Sequence, residues 1–385
     1  MSTDVVIAGP VRTPIGKYGG GLAGVTAVEL AGAAGRASLE RAGVRPEDID
    51  QAVWGHARQA GCGPNPGRQA SVACGIPVER PAQTINQACL SGLQAILAAA
   101  RAIRLGEAEV VLAGGTESMS RVPYLLDARW GWRMGHRQAV DGMSRDGFLD
   151  PISGKIMGET AETLARQYRI PREEQDAYAQ ETQRRCEEAR RAGLWAEEIV
   201  PVGDVAEDEH PRPDTGPESL AKLPPVFEKG GTVTAGNSSG ITDGAAAVVV
   251  LSSGAATRLG VTPWARIAGW QVVGVDPAVM GIGPVPAVRA ILARTGLSLD
   301  AIDLVELNEA FAAQVLAVDR ELRLDRSRLN VQGGAIALGH PIGCSGARVV
   351  VTLLHAMRRR CAARGLATLC VSGGLGGALL LETTP

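Results

Sequence analysis

Short apolar runs of strand type alternate along the chain with longer segments of helical period. Val5 to Ala8 reads as a strand. A helical pattern opens at Thr26 to Leu30, continues to Arg41 and stops at Gly43. Pro46 to Asp50 is turn-like and leads into a strand at Gln51 to Gly55. The alanine-rich run Ala95 to Ile103 has no polar stripe, which predicts a helix buried all round and ending at Gly106. Glu109 to Gly115 is a buried strand that ends in glycines.

The C-terminal third repeats this order. Pro286 to Arg294 is helical, Gly296 to Asp303 echoes Gly43 to Asp50, and Leu304 to Leu307 echoes the strand at Ala52 to Trp54. Ser345-Gly346 opens a helix as Ser91-Gly92 does, and Thr368 to Gly374 echoes Val110 to Gly115. The pattern predicts a duplicated α/β half-domain with mostly parallel sheets flanked by helices. Met119 to Gly240 breaks it, with the Trp-rich stretch Arg129 to Met134, a charged helix at Arg172 to Arg191 read as a solvated face, and a Pro-rich segment at Pro211 to Pro225. It reads as an insertion on the two halves. The expected division is 1–118 for the first half, 119–240 for the insertion, 241–262 for a return to the first half, and 263–385 for the second.

Composition narrows the function. The 385 residues are 45% apolar, ample for more than one core. With 39 basic and 41 acidic residues, no polyanion-binding surface is expected, so nucleic acid is a poor partner. No basic leader precedes the first strand, and no uninterrupted apolar stretch has the length of a membrane span. Cytoplasmic residence is expected. The seven cysteines are scattered and form no C-x-x-C pair, which argues against a zinc ribbon or a thioredoxin-type centre. Gly19 to Gly24 fits G-x-G-x-x-G but follows the first strand too late for a dinucleotide fold, and reads as a loop.

Four stretches could carry chemistry. In Asn86 to Gln94, Cys89 falls at the start of the buried helix, where unpaired N–H groups favour a thiolate. The competing reading is an inert core cysteine. A base must accompany such a nucleophile. Among five histidines only His340 has a suggestive setting, the Gly-rich stretch Gln332 to Gly346. The repeat places that loop where the Cys89 loop lies in the other half. Cys370 ends a strand before a glycine turn and reads as a core cysteine or as an acid–base group. Asn308-Glu309, after the strand Leu304 to Leu307, reads as a helix N-cap or as a group that orients water.

Taken together these stretches resemble the thiolase family, in family order through essentially the whole chain, with Thr234 to Gly240 and Val279 to Pro284 as further signatures. The resemblance implies a five-layered αβαβα fold of two similar halves with an inserted loop domain. It also implies a two-step exchange of acyl groups between CoA thioesters, by thiolysis of 3-ketoacyl-CoA or condensation of two acetyl-CoA, with CoA as a substrate and no cofactor. Cys89 would carry the acyl group, His340 would activate it, and Cys370 would exchange a proton with the acetyl carbon. Asn308 would hold a water, and the N–H groups of Cys89 and Ser372 would form the oxyanion hole. Arg212, Ser219, Phe227, Ala235 and Ser239 match CoA-contacting positions, and Met157 and Met280 match pocket-lining methionines. A homotetramer or homodimer is implied, with Val122 to Val140 matching the tetramer-forming segment.

Two positions depart from the family pattern. Ser372 stands where glycine is usual, so its Cβ is expected to crowd the pocket or to bar a left-handed backbone. Ile156 stands where acetoacetyl-CoA-forming members have histidine. Two other functions compete: a decarboxylating condensing enzyme of the same superfamily, which would place a second histidine at position 370, and a non-catalytic CoA carrier.

Overall fold

The computed structural model describes residues 4–384. Strands β1 (Val5–Arg12), β2 (Gln51–Gly55), β3 (Ala82–Ile85), β4 (Val110–Ser118) and β5 (Thr242–Ser252) run in the order β3-β2-β4-β5-β1. Strands β6 (Ala265–Gly274), β7 (Leu304–Leu307), β8 (Arg364–Val371) and β9 (Leu375–Glu382) run in the order β7-β8-β9-β6. The same spatial order recurs in both halves, so the echo in the sequence is an echo in structure. The two sheets meet edge to edge, where Val6 and Ile7 of β1 pair with Arg266 and Ala265 of β6. The expected parallel character is only partly present. β2 pairs parallel with β3 and β4, and β7 with β8, whereas the other ladders are antiparallel. β9 follows β8 through the short turn at 372–374, a hairpin that makes the pair antiparallel, whereas β5 returns antiparallel to β4 after the long inserted segment.

Period-two alternation divides each strand between two cores. In β5, Ala246, Val248 and Val250 face the centre of the molecule, whereas Ala245, Ala247, Val249 and Leu251 face the outer helix α1 (Ala27–Ala42). Thr26 caps α1 at its start and left-handed Gly43 ends it. In β9, Leu379 and Leu381 face the centre and Ala378 and Leu380 face outward. There they meet α5 (Pro284–Thr295) and α6 (Ala312–Leu322). Between the sheets lie α2 (Ser91–Leu105) and α7 (Ile342–Arg360). The succession α1, sheet, α2 with α7, sheet, α5 with α6 is the five-layered arrangement.

The central helices touch through glycine. A Cβ on Gly92 would lie 2.6 Å from the Ala347 nitrogen, and one on Gly346 would lie 2.4 Å from the Leu93 nitrogen. Only hydrogen fits at this crossing, which sets the N-termini of both helices side by side. By composition the window Ala88–Leu105 is apolar enough to span a membrane, although arginine interrupts it. It is the innermost layer of the core.

The segment between β4 and β5 holds a short ribbon, Tyr124–Leu125 with Val140–Asp141, and helices α3 (Met157–Gln167) and α4 (Arg172–Arg191). Buried Arg12 of β1 anchors the segment through Asp208, at 2.6 and 2.8 Å, and through Glu198. Helix α4 is more than a solvated face: Ala179, Thr182, Gln183 and Cys186 are buried, and Thr182 and Tyr178 hydrogen-bond Glu309.

Candidate active site

Cys89 sits in a tight turn between β3 and α2. Asn86 ties the turn down: its Oδ1 accepts from the Ala88 N–H at 3.0 Å and its Nδ2 donates to the Ala57 carbonyl at 3.0 Å. Ser91 Oγ accepts from the Gln87 N–H and donates to the Ala88 carbonyl at 2.7 Å. Ala88 is held at φ +46°, a left-handed conformation that costs a non-glycine residue about 1–2 kcal/mol. Cys89 is half-buried, and the N–H groups of Ser372 and of Cys89 itself lie near enough to its sulfur to pull its pKa down. Burial pushes the Cys89 thiol up, against the pull of the Ser372 N–H and the charge of Arg58. Desolvation therefore outweighs the helix N-terminus, and the resting group is a thiol instead of the expected thiolate.

His340 comes from the Gly-rich loop before α7. Its N–H donates to the Gly240 carbonyl at 3.0 Å, and the Gly343 N–H donates to Glu117 at 2.8 Å across the two halves. His340 Nδ1 lies 2.5 Å from Ser345 Oγ. That hydroxyl spends its single hydrogen on the Pro341 carbonyl at 3.0 Å, so it accepts from Nδ1–H. The lone pair is thereby left on Nε2, which has no protein partner. Burial, then the charges of Arg348 and Arg58, push the imidazole down to about 3. His340 is a neutral acceptor at physiological pH.

Both groups line one cavity of about 330 Å³, together with Ser372, Met157, Phe227, Ala235, Ser239 and Met280. Cys370 and Asn308 do not line it; both are fully buried. Cys370 packs in a cluster with Met280 and Phe311, and its thiol is pushed well up by burial and by neighbouring Cys89. Asn308 is no helix cap, because α6 begins after Phe311. Its Oδ1 lies 3.4 Å from Arg348 Nη2, and its Nδ2 is without a partner. Arg212 also lies off the cavity wall, with Nη1 at 3.4 Å from the carbonyl of Ala235. Ser219 is exposed and bonds only Gly216. The expectation for Ser372 needs correction in part: left-handed backbone falls on Gly373 at +84° and Gly374 at +80°, not on Ser372. A side chain at 372 therefore costs no backbone strain.

Several functional groups escaped the sequence reading. Arg58, Met119 and Phe148 line the cavity. Ser345 sets the tautomer of His340, and Arg348 holds Asn308. The signal for Arg348 was present, as a lone cation in the apolar stretch Ile342 to Met357. Arg58 gave no such signal.

Residues 5–254 match the thiolase N-terminal domain family and residues 261–383 the thiolase C-terminal domain family. The acetyl-CoA acetyltransferase of Pseudomonas aeruginosa is 51% identical, over 98% of this chain and 99% of that protein. The acetyl-CoA acetyltransferase of Cupriavidus necator is 50% identical, over 99% of each. The crystal structure of the Bacillus anthracis acetyl-CoA acetyltransferase superposes with a TM-score of 0.97 at 46% identity, covering 100% of this chain and 99% of that one. Human mitochondrial 3-ketoacyl-CoA thiolase in complex with CoA gives a TM-score of 0.97 at 45% identity, covering 100% and 98%. This chain belongs to the thiolase family and is an acyltransferase enzyme.

Proposed function

We propose that this thiolase cleaves 3-ketoacyl-CoA, and condenses two acetyl-CoA in the reverse direction, through an acyl thioester on Cys89. His340 Nε2 takes the proton from the Cys89 thiol as the sulfur attacks the keto carbon. The carbon–carbon bond breaks, its electron pair forms the enolate of acetyl-CoA, and Cys370 protonates that carbon. The thiol of incoming CoA gives its proton to the Cys370 thiolate and attacks the thioester; the bond between the Cys89 sulfur and the acyl carbon breaks, the shortened acyl-CoA leaves, and the Cys89 thiolate takes its proton back from His340. The N–H groups of Cys89 and Ser372 stabilise the oxyanion beside the sulfur. Asn308 Nδ2 and a water serve the enolate oxygen with His340.

The observation that carries this reading is the free Nε2 of a neutral histidine sharing one cavity with a thiol flanked by two N–H donors. Cys370 at the position where decarboxylating enzymes would have histidine favours thiolysis over malonyl-dependent condensation. The chain is read as cytoplasmic, as acting on acyl-CoA and CoA without metal or organic cofactor, and as a homo-oligomer.

The test is mass spectrometry after incubation with acetyl-CoA. An acetyl adduct on the peptide carrying Cys89, absent in Cys89→Ser, is expected. An adduct elsewhere, or no thiolysis of acetoacetyl-CoA after chelator treatment, overturns the reading.

A further inference from the structure

Arg58 follows β2 and is 7% exposed. It carries the only permanent charge in the lining of the cavity, whose other walls are apolar or neutral. Its guanidinium lies against Gly147, where a Cβ would come within 2.6 Å of Nε. Among the described residues no carboxylate lies within 4.0 Å of it, and its Nε is buried without a partner. The nearby Glu117 is already taken by His56 at 3.1 Å and by the N–H groups of Ala57, Arg58 and Gly343. A guanidinium whose Nε is buried without an acceptor lacks a partner that an anion can supply.

The place of Arg58 says which part of a substrate that anion belongs to. The apolar walls fall into two clusters. One holds Met280, Phe311, Met157 and Phe227 beside Cys370. The other holds Ala57, Met119, Ile342 and Phe148, and touches Cys89. Phe227, Ala235 and Ser239 match the positions expected to hold CoA, and Met157 packs with Phe227. Arg58 belongs to the second side, next to Ala57 in the chain and against Gly147, the neighbour of Phe148. On this reading an acyl chain on Cys89 that points away from CoA would pass the Met119 and Phe148 side, where Arg58 also lines the cavity.

We propose that Arg58 is a specificity-determining residue that binds an anionic group at the far end of the acyl chain, so that the favoured substrates are 3-ketoacyl-CoA esters whose chain ends in a carboxylate. The planar fork of the guanidinium suits that group, and the surrounding apolar wall strengthens the contact by excluding water. The inference rests on the thiolase reading above and names the substrate class for the same site.

The experiment compares thiolysis of three substrates: acetoacetyl-CoA, a six-carbon 3-ketoacyl-CoA ending in methyl, and its counterpart ending in carboxylate. For the wild type, kcat/KM for the carboxylate-ended ester is expected to exceed that for the methyl-ended ester by about tenfold or more. Arg58→Met should bring this ratio below one, and Arg58→Lys should leave it intermediate. The ratio isolates recognition of the chain end from any effect of the charge on Cys89. If Arg58→Met does not fold, the wild-type ratio and Arg58→Lys decide. A wild-type preference for the methyl-ended ester, or a ratio unchanged by either substitution, overturns the assignment while leaving the thiolase reading intact. No thiolysis of any of the three, with no adduct on Cys89, overturns both.

Discussion

At rest the reactive pair is a thiol beside a neutral imidazole, since burial pushes Cys89 up and His340 down to about 3. Two consequences follow for pH. Protonation of His340 removes no activity between pH 5 and 7, because the base is unprotonated throughout. Alkylation of Cys89 by iodoacetamide should still climb with pH above about 8.5, the ordinary thiol value, since the thiolate fraction grows until pH passes the raised pKa. Inactivation rates measured from pH 6 to 10 check this; a plateau below pH 8 would mean a resting thiolate–imidazolium pair. The tautomer of His340 hangs on one hydroxyl. Ser345→Ala frees Nδ1, lets the proton move to Nε2, and should lower kcat about tenfold or more, part of what general base catalysis contributes. Retained kcat would show that Ser345 does not set the proton. Neither effect was legible in the sequence, which gave the residue types but not the burial that reverses the expectation for Cys89.

Helix α7 acts as a ruler for the site. Ser345 and Arg348, one turn apart, hold His340 and Asn308, and Gly346 between them presses on α2. Gly346→Ala should therefore destabilise the protein by about 1–3 kcal/mol through overpacking and lower activity with it, measured by urea unfolding and thiolysis. Behind Arg348 lies Glu306, 3.6 Å away and fully buried, and burial pushes its carboxyl up to about 8. The folded state then holds a proton that the unfolded chain releases near pH 4.3. Between about pH 4.5 and 8 the native protein binds more protons, so this group's contribution to stability falls as pH rises, by up to about 1.4 kcal/mol per pH unit, and levels off above 8. Glu306→Gln should gain on the wild type over that range in urea midpoints. A variant that loses ground instead would mean an ionised pair with Arg348. At this scale the sequence was legible where period and punctuation agree: the strand at Gln51 to Gly55, the strand at Leu304 to Leu307, and helix ends at Gly43 and Gly106. It was misleading where contact with distant chain decides. Helix α4 looks solvated by composition, yet Thr182 and Tyr178 reach Glu309 more than a hundred residues away.

Across the whole molecule, the duplicated order of elements was visible in sequence because each half carries the same turn and strand signals. The direction of the ladders was not, because β5 is reached through the long inserted segment and β9 through the short turn at 372–374, and neither connection shows strand direction in its pattern. One surface remains to be covered. The ribbon Tyr124–Leu125 with Val140–Asp141 and the stretch between its strands expose Tyr124, Leu126, Trp130 and Met134, with Trp130 94% and Met134 90% exposed. Indole and thioether groups facing water at this density would make a poor free surface. The segment is also the one whose sequence resembles the tetramer-forming part of the family's loop domain. Its expected occupant is the same segment of another copy of this chain, in a symmetric contact that buries like residues against like. Light scattering at micromolar concentration should give a mass of about four chains. Trp130→Ser with Met134→Ser should lower it to about two while thiolysis per chain persists, because the cavity lies in the body, lined by Cys89 and His340. A wild-type monomer, or an assembly that the double substitution leaves unchanged, would mean that this ribbon is not the contact.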